Sequence, residues 1–418
     1  MAEVRPAAAV DDAPLPLRGE LTRERVLAAA SHLFATQGFD ATSVEAVAAA
    51  AELTVPGMYR HFPGKDQLLI SVARRVTRMS RARQALGEGT DLAEGLADLF
   101  EEYLEAGQIE RRRLSIELSR ASFQNMELHD ALVRYNQLLR ESLTATIAGA
   151  AAVVDEREAA LLSHLVLIIL MGAVHLDTLD PERVGDARLA AFLRRRFAVL
   201  IADPGAASAT RRRLPSTTVD GASEPEPKDG RRARSVRTRN RILAAAEELF
   251  ALHGYDATTI EMLAARAEIT VPGLYRHMTS KEALLVDVAQ RAFSRYRLAA
   301  PFGGEAGVTD QLADLLVAFS ASGERVNRRL AVELDFGAWR NAELAGGLTD
   351  FHRRVRSNLA SSLSAQEGVP TGDDHELRAL VALMVFMGIA HLDTVDPGLI
   401  DHRGWTDLLR RRVPQLVG

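Results

Sequence analysis

The sequence has no cysteine among its 418 residues, which excludes disulfides and thiolate metal sites and suits a reducing compartment. The N-terminal stretch from Met1 to Arg18 lacks the apolar run of a secretory signal, so export is not expected. The longest apolar runs, Leu165 to Val174 and Ala379 to Ala390, are each followed by a histidine (His175, His391). Both fall short of the roughly 20 residues that span a bilayer. They read as buried helices, and no membrane partner is expected. A net positive charge is also missing: the net charge is −5, so any contact with nucleic acid must come from local basic groups. No Ser/His/Asp or paired-carboxylate arrangement stands out, so no enzyme, metal or cofactor is expected.

What is present is a repeat. Thr22 to Arg75 aligns with Thr238 to Arg291 at an offset of 216, with 32 of 54 positions identical. The same offset aligns Arg112-Arg113-Leu114 with Arg328-Arg329-Leu330, and His175-Leu176-Asp177-Thr178 with His391-Leu392-Asp393-Thr394. Between the copies, Asp203 to Arg237 is rich in Pro, Gly, Ser, Thr and charge, the composition of a flexible linker. Apolar residues recur at helical spacing, as in Val26, Leu27, Ala30, Leu33 and Phe34, and no segment alternates as a strand does. The fold class is all-α.

Each copy then carries the punctuation of three short helices. Gly38 and Gly254 suit a helix C-terminus in left-handed geometry. Thr42 with Glu45, and Thr258 with Glu261, fit a capping box that opens a second helix. Thr54 and Thr270 can cap a third helix whose first turn holds Pro56 or Pro272. Met58 and Phe62 (Leu274 and Met278) are spaced to face inward, leaving Tyr59, Arg60 and His61 (Tyr275, Arg276 and His277) outside. A slender first turn with a polar rim suits a reader of the major groove.

Gly38-Phe39, Thr42, Met58-Tyr59-Arg60-His61-Phe62, Lys65 and Leu68-Leu69, with their second-copy equivalents, resemble the signature of the TetR family of bacterial regulators. The resemblance implies two tandem TetR-like units, each a helix-turn-helix DNA-binding domain followed by a helical effector and dimerisation domain. It also implies that Thr42, Tyr59, His61 and Lys65 (Thr258, Tyr275, His277 and Lys281) touch phosphates. Val55, Pro56, Gly57 and Arg60 (Val271, Pro272, Gly273 and Arg276) would face bases. Glu52 and Glu268 depart from the family, which usually has glycine there; they imply either a turn without left-handed geometry or strain. Only the second copy is preceded by an arginine-rich arm: Arg231, Arg232, Arg234, Arg237, Arg239 and Arg241.

The expected organisation is an N-terminal arm over 1–18, helix-turn-helix domains over 19–70 and 238–286, helical domains over 71–202 and 287–418, and a linker with its basic arm over 203–237. Glu117, Phe123, His175, Glu333, Trp339 and His391 are candidate contacts for a small-molecule effector; for each histidine the alternative is a structural role at a helix end. The expected function is a cytoplasmic, ligand-responsive repressor. It would act on an inverted-repeat, double-stranded DNA operator through intramolecular pairing of its two copies, with further homo-oligomerisation left open. An alternative, motivated by the acidic balance, is a small-molecule-binding or protein-interaction module that keeps the helix-turn-helix without tight DNA binding.

Overall fold

The computed structural model describes residues 18–78, 91–123, 125–150, 155–202, 230–255, 257–294, 302, 307–396, 398–400 and 404–418. Every regular element among them is helical. The chain divides into two compact units, residues 1–78 and 79–418.

The first unit holds α1 (Arg18–Gln37), α2 (Val44–Ala50), α3 (Val55–Tyr59) and α4 (Lys65–Arg78). Val26, Leu27, Ala30 and Phe34 of α1 pack with Val47, Met58, Phe62, Leu68, Leu69 and Val72, all buried. The spacing of these apolar positions therefore matches the faces that are covered.

The second unit begins with α5 (Leu92–Leu104), α6 (Ile109–Ala121), α7 (Met126–Ala150), α8 (Glu156–Asp177), the short α9 (Pro181–Val184) and α10 (Ala187–Ala202). It continues through α11 (Gly230–His253), α12 (Ile260–Arg266), α13 (Val271–Leu274), α14 (Lys281–Ser294), α15 (Val308–Ser320), α16 (Arg325–Arg340), α17 (Ala342–Glu367), α18 (Asp373–Val395) and α19 (Trp405–Val417). Asp91, Asp155 and Asn341 cap α5, α8 and α17 through their side chains, and Gly368, at φ 68°, ends α17 in left-handed geometry. One linker boundary needs correction: the stretch 230–237 is helical and forms the opening turns of α11. The rest of the linker and the N-terminal arm, apart from Arg18, lie outside the described residues.

α8 and α18 make the most extensive helix–helix contact in the unit. Both helices are longer than their apolar runs suggested, 22 and 23 residues, and by length and composition either could cross a membrane; 89% of each apolar window is instead buried within the protein. Their crossing is set by two glycines. A Cβ on Gly172 would lie 1.8 Å from the Met384 carbonyl oxygen, and one on Gly388 would lie 1.8 Å from the Ile168 carbonyl oxygen. These two contacts exchange under the repeat offset. Other contacts do the same: Arg140 pairs with Asp396 at 3.9 Å and Arg356 with Asp180 at 2.7 Å. Arg113 lies over the Trp339 ring at 5.7 Å and Arg329 over the Phe123 ring at 4.5 Å. α10 and α19 close the same seam, where buried Arg412 donates to the Leu200 carbonyl at 3.2 Å and to Glu158 at 2.6 Å. Burial alone would raise the Glu158 carboxyl, but the bonds and charges of Arg411 and Arg412 hold it below its ordinary range.

Each copy also contains the same buried chelate. Arg112 Nε donates to Asp177 Oδ2 at 2.8 Å, and its Nη1 donates to the carbonyls of Tyr103 and Glu105, both at 2.8 Å. Arg328 does this for Asp393 (2.7 Å), Ala321 (2.7 Å) and Phe319. A planar, permanently charged fork suits three acceptors in fixed directions, and it ties α5, α6 and α8 together in one copy and α15, α16 and α18 in the other.

Candidate nucleic-acid interface

In the first helix-turn-helix, α1 ends at Gly38, φ 85°, and the chain turns into α2. Thr42 is buried, and its hydroxyl donates to the Gly38 carbonyl at 2.7 Å. Ser43 is the N-cap, accepting from the Ala46 N–H at 3.1 Å. The second copy repeats this: Thr258 donates to the Gly254 carbonyl at 2.8 Å, and Thr259 caps α12 by accepting from the Met262 N–H at 3.2 Å. The caps read at Thr42 and Thr258 are thus displaced by one residue, and with Ala46 or Met262 at the third helical position neither helix is closed by a capping box. A buried hydroxyl bonded to a carbonyl does not face a phosphate; the hydroxyls at the helix entrance belong to Ser43 and Thr259.

α2 leaves through Glu52, and α12 through Glu268, at φ 58° and 55°. These turns are left-handed without glycine, so of the two alternatives read from the sequence, strain holds. Thr54 and Thr270 then cap the third helices, accepting from the N–H of Gly57 and Gly273, both at 3.2 Å. A Cβ on either glycine would press on the capping hydroxyl, at 3.2 Å from Thr54 Oγ1 or 3.1 Å from Thr270 Oγ1. Gly57 and Gly273 are buried, so their part is to allow that tight first turn rather than to offer surface for base contact. Met58, Phe62, Leu274 and Met278 face the core. Tyr59 and Tyr275 are exposed, at 46% and 54%; Pro56, Pro272, Arg60 and Arg276 are exposed beside them, and Val55, Val271, His61 and His277 are half-buried.

Lys65 and Lys281 open α4 and α14. Their ammonium groups lie 4.3 Å above the rings of Phe39 and Tyr255, which aligns the charge with the entrance to α2 or α12. Part of the basic arm is engaged locally. Arg239 pairs with Asp287 at 2.8 Å and Arg241 with Glu268 at 3.5 Å. Arg239, Arg241 and Glu268 are exposed and Asp287 is half-buried. Arg234 and Arg237 are exposed on α11.

The six effector candidates come together differently from expectation. His175 and His391 are bonded to each other, Nε2 to Nδ1 at 2.7 Å, in the middle of a buried chain. Asp335 Oδ2 lies 2.7 Å from His175 Nδ1, and Ser119 Oγ lies 3.2 Å from His391 Nε2. Ser119 and Asp335 are themselves equivalent under the repeat offset. Burial pushes Asp335 up to about 7 and His175 down to about 3, and it lowers His391 and His352, which also faces Asp335. With Asp335 protonated, all the donors point one way: Asp335 to His175, His175 to His391, His391 to Ser119, and Ser119 to the Ser115 carbonyl at 3.0 Å. Glu117 is fully buried and pairs with Arg120 at 2.9 Å, whereas Glu333 accepts the backbone N–H of Tyr255 at 3.0 Å, just after α11. Phe123 and Trp339 lie beneath the crossed arginines. Among the described residues no group of three or more His, Asp or Glu is arranged to hold a metal ion.

The sequence reading missed Ser43 and Thr259, although a hydroxyl at both positions of the repeat was a usable signal. It also missed Ser119 and Asp335, which differ between the copies and so left no trace in a search for identity.

The family model for the tetR family of bacterial regulatory proteins matches residues 26–72 and 242–288. The chain is 31% identical over 183 residues to the HTH-type transcriptional regulator TcmR of Streptomyces glaucescens, covering 41% of this chain and 78% of that protein. It is 30% identical over 132 residues to the HTH-type transcriptional regulator UidR of Escherichia coli K12, covering 30% of this chain and 64% of that protein. Among solved structures it is similar to Salmonella enterica GusR, at 27% identity and a TM-score of 0.37, over 43% of this chain and 95% of that one. With its helix-turn-helix motif present twice and its relatives named as transcriptional regulators, the chain belongs to the TetR family and is a DNA-binding transcriptional regulator.

Proposed function

We propose that the protein is a ligand-responsive repressor of the cytoplasm in which one chain supplies both halves of the DNA-reading assembly. The observation that carries this reading is the reciprocal crossing of α8 and α18, where Gly172 meets Met384 and Gly388 meets Ile168. Contacts that exchange under the repeat offset have the form of an isologous interface about a two-fold axis. Two recognition segments that engage DNA about such an axis would require an operator of inverted half-sites about one helical turn apart, roughly 34–36 Å between centres. An effector that binds one arrangement of the helical domains better than the other would shift the population between DNA-competent and released states.

At the DNA, Tyr59, His61, Lys65 and Ser43 would hold phosphates, as would Tyr275, His277, Lys281 and Thr259. Val55, Pro56 and Arg60, with Val271, Pro272 and Arg276, would read base edges. Arg234 and Arg237 add sequence-independent, salt-dependent attraction on the side of the second copy alone. The test is selection of DNA sites from a random pool, followed by gel shifts. An inverted repeat of two nearly identical half-sites supports the reading, with binding lost in the joint Arg60→Ala and Arg276→Ala variant. Failure to enrich any sequence would leave a helical module that keeps the fold without tight DNA binding.

A further inference from the structure

The two copies differ in chemistry beside their shared arginine–aspartate chelates. In the first copy the ends of α5 and α8 and the start of α10 border a cavity of about 410 Å³, with Phe100, Leu104, Leu189 and Leu193 among its walls. In the second copy Leu104 is replaced by Ser320 and Leu189 by Trp405. The Trp405 side chain is buried, 2% exposed, and its indole N–H donates to Ser320 Oγ at 3.1 Å. Against the same chelate, one copy therefore has space and the other has an indole.

Charge separates them in the same place. Glu101, Glu105, Glu182 and Asp186 line the cavity of the first copy; at the offset of 216 the second copy has Val317, Ala321, Gly398 and His402. Arg188 pairs with Asp186 at 2.6 Å, and Arg112 is committed to Asp177. Glu101, Glu105 and Glu182 have no ion-pair partner among the described residues. The walls are apolar and the rim is anionic, which suits a ligand with a flat hydrocarbon body and a cationic end. Trp405, in the second copy, indicates the size and shape of that body.

We propose that the first copy binds a small arylalkylamine, its ring taking the place that Trp405 occupies in the second copy and its ammonium facing Glu101, Glu105 and Glu182. The second copy carries its own plug and binds none. The site does not include Glu117, Phe123, His175, Glu333, Trp339 or His391, none of which lines this cavity. As an effector site it rests on the ligand-responsive reading; as a binding site it stands alone.

Calorimetric titration of the full chain, without DNA, tests it with tryptamine and, as the anionic control of the same ring, indole-3-acetate. One tryptamine per chain is expected, bound at least about tenfold more tightly than indole-3-acetate, a difference of roughly 1.4 kcal/mol. Leu189→Trp, which copies the plug into the first site, should abolish binding. Because that variant fills a core and its folding must be checked by circular dichroism, a second carries only exposed changes: Glu101→Gln with Glu105→Gln and Glu182→Gln should erase the preference for the amine. No saturable heat with tryptamine, equal affinity for the two ligands, or undiminished binding by a folded Leu189→Trp chain would overturn the proposal. Gel shifts with tryptamine keep the two ideas apart. Binding without release of DNA removes the effector role and leaves the site, whereas absence of binding removes the site and leaves a response to some other ligand.

Discussion

Thr54 to His61 and Thr270 to His277 differ at one position, and both residues there, Met58 and Leu274, are fully buried. The helical cores are unlike in several interior places: Ser119 against Asp335, Arg120 against Phe336, Leu189 against Trp405. A homodimer cannot make such distinctions, because each change appears on both sides of its axis. A symmetric pair here would put two carboxyls, or none, beside the two histidines. Two encoded copies allow one carboxyl, and with it a hydrogen-bonded chain that has a direction. What the copies keep in common is the surface expected to meet similar half-sites; what they vary is the interior, where one occupant per assembly suffices.

The largest expected effects test the features the copies share. Arg112→Ala takes the ion-pair partner from buried Asp177, and Arg328→Ala leaves buried Asp393 the longer 3.8 Å contact to exposed Arg325; each should cost about 3–5 kcal/mol in chemical denaturation. The Arg328 loss should not exceed the Arg112 loss by more than about 1 kcal/mol, since Arg325 remains beside Asp393; a much smaller loss in the first copy would mean that its cavity admits water to Asp177. Next, Gly172→Ala and Gly388→Ala force the α8–α18 crossing apart and should each cost roughly 3 kcal/mol. Loss in one variant alone would break the reciprocity of the seam.

The unequal pair Ser119 and Asp335 sets the response to pH. A carboxyl raised from 3.8 to about 7 keeps its proton in the folded chain after the unfolded chain has released it, so its stability contribution is lost as pH rises through that range. A histidine lowered from 6.5 to about 3 acts in reverse, losing its contribution as pH falls below 6.5. Asp335 and His175 therefore offset one another between these limits. His391 and His352, both lowered by burial, act in the same direction as His175, and Asp177, which burial raises, offsets them only in part. Stability should therefore fall as pH drops below 6.5. Asp335→Asn removes the offset and should steepen the fall by one further proton. Unfolding curves with the same slope in both proteins would show that Asp335 does not hold its proton there.

The smallest effect concerns two turns that the copies share. Glu52→Gly and Glu268→Gly relieve left-handed geometry and should raise stability by up to about 1 kcal/mol each. A loss in either would show that the glutamate side chain contributes more than its backbone costs.

The helices, the repeat and the identity of the reading segments were legible in the sequence because they depend on local periodicity, capping and duplication. Met58 and Phe62 announced their inward face by spacing alone. Thr42 was misjudged because Thr42 and Ser43 both present hydroxyls, and only the chain path distinguishes the cap from the buried neighbour. The partners of His175 were out of reach: Asp335 and His391 lie 160 and 216 residues away. Nothing in local pattern encodes that meeting. The opening of α11 was read as linker because Gly230 to Arg237 is polar, whereas it extends an existing helix, which costs no new nucleus.

The central claim is that one chain provides both halves of the DNA-reading assembly. Sedimentation of the protein on a single selected operator, at nanomolar concentration, tests it most directly. The account predicts one 45.5 kDa chain per inverted repeat, with both half-sites protected in a footprint of that complex. Two chains per operator, with a single half-site protected by each, would contradict it.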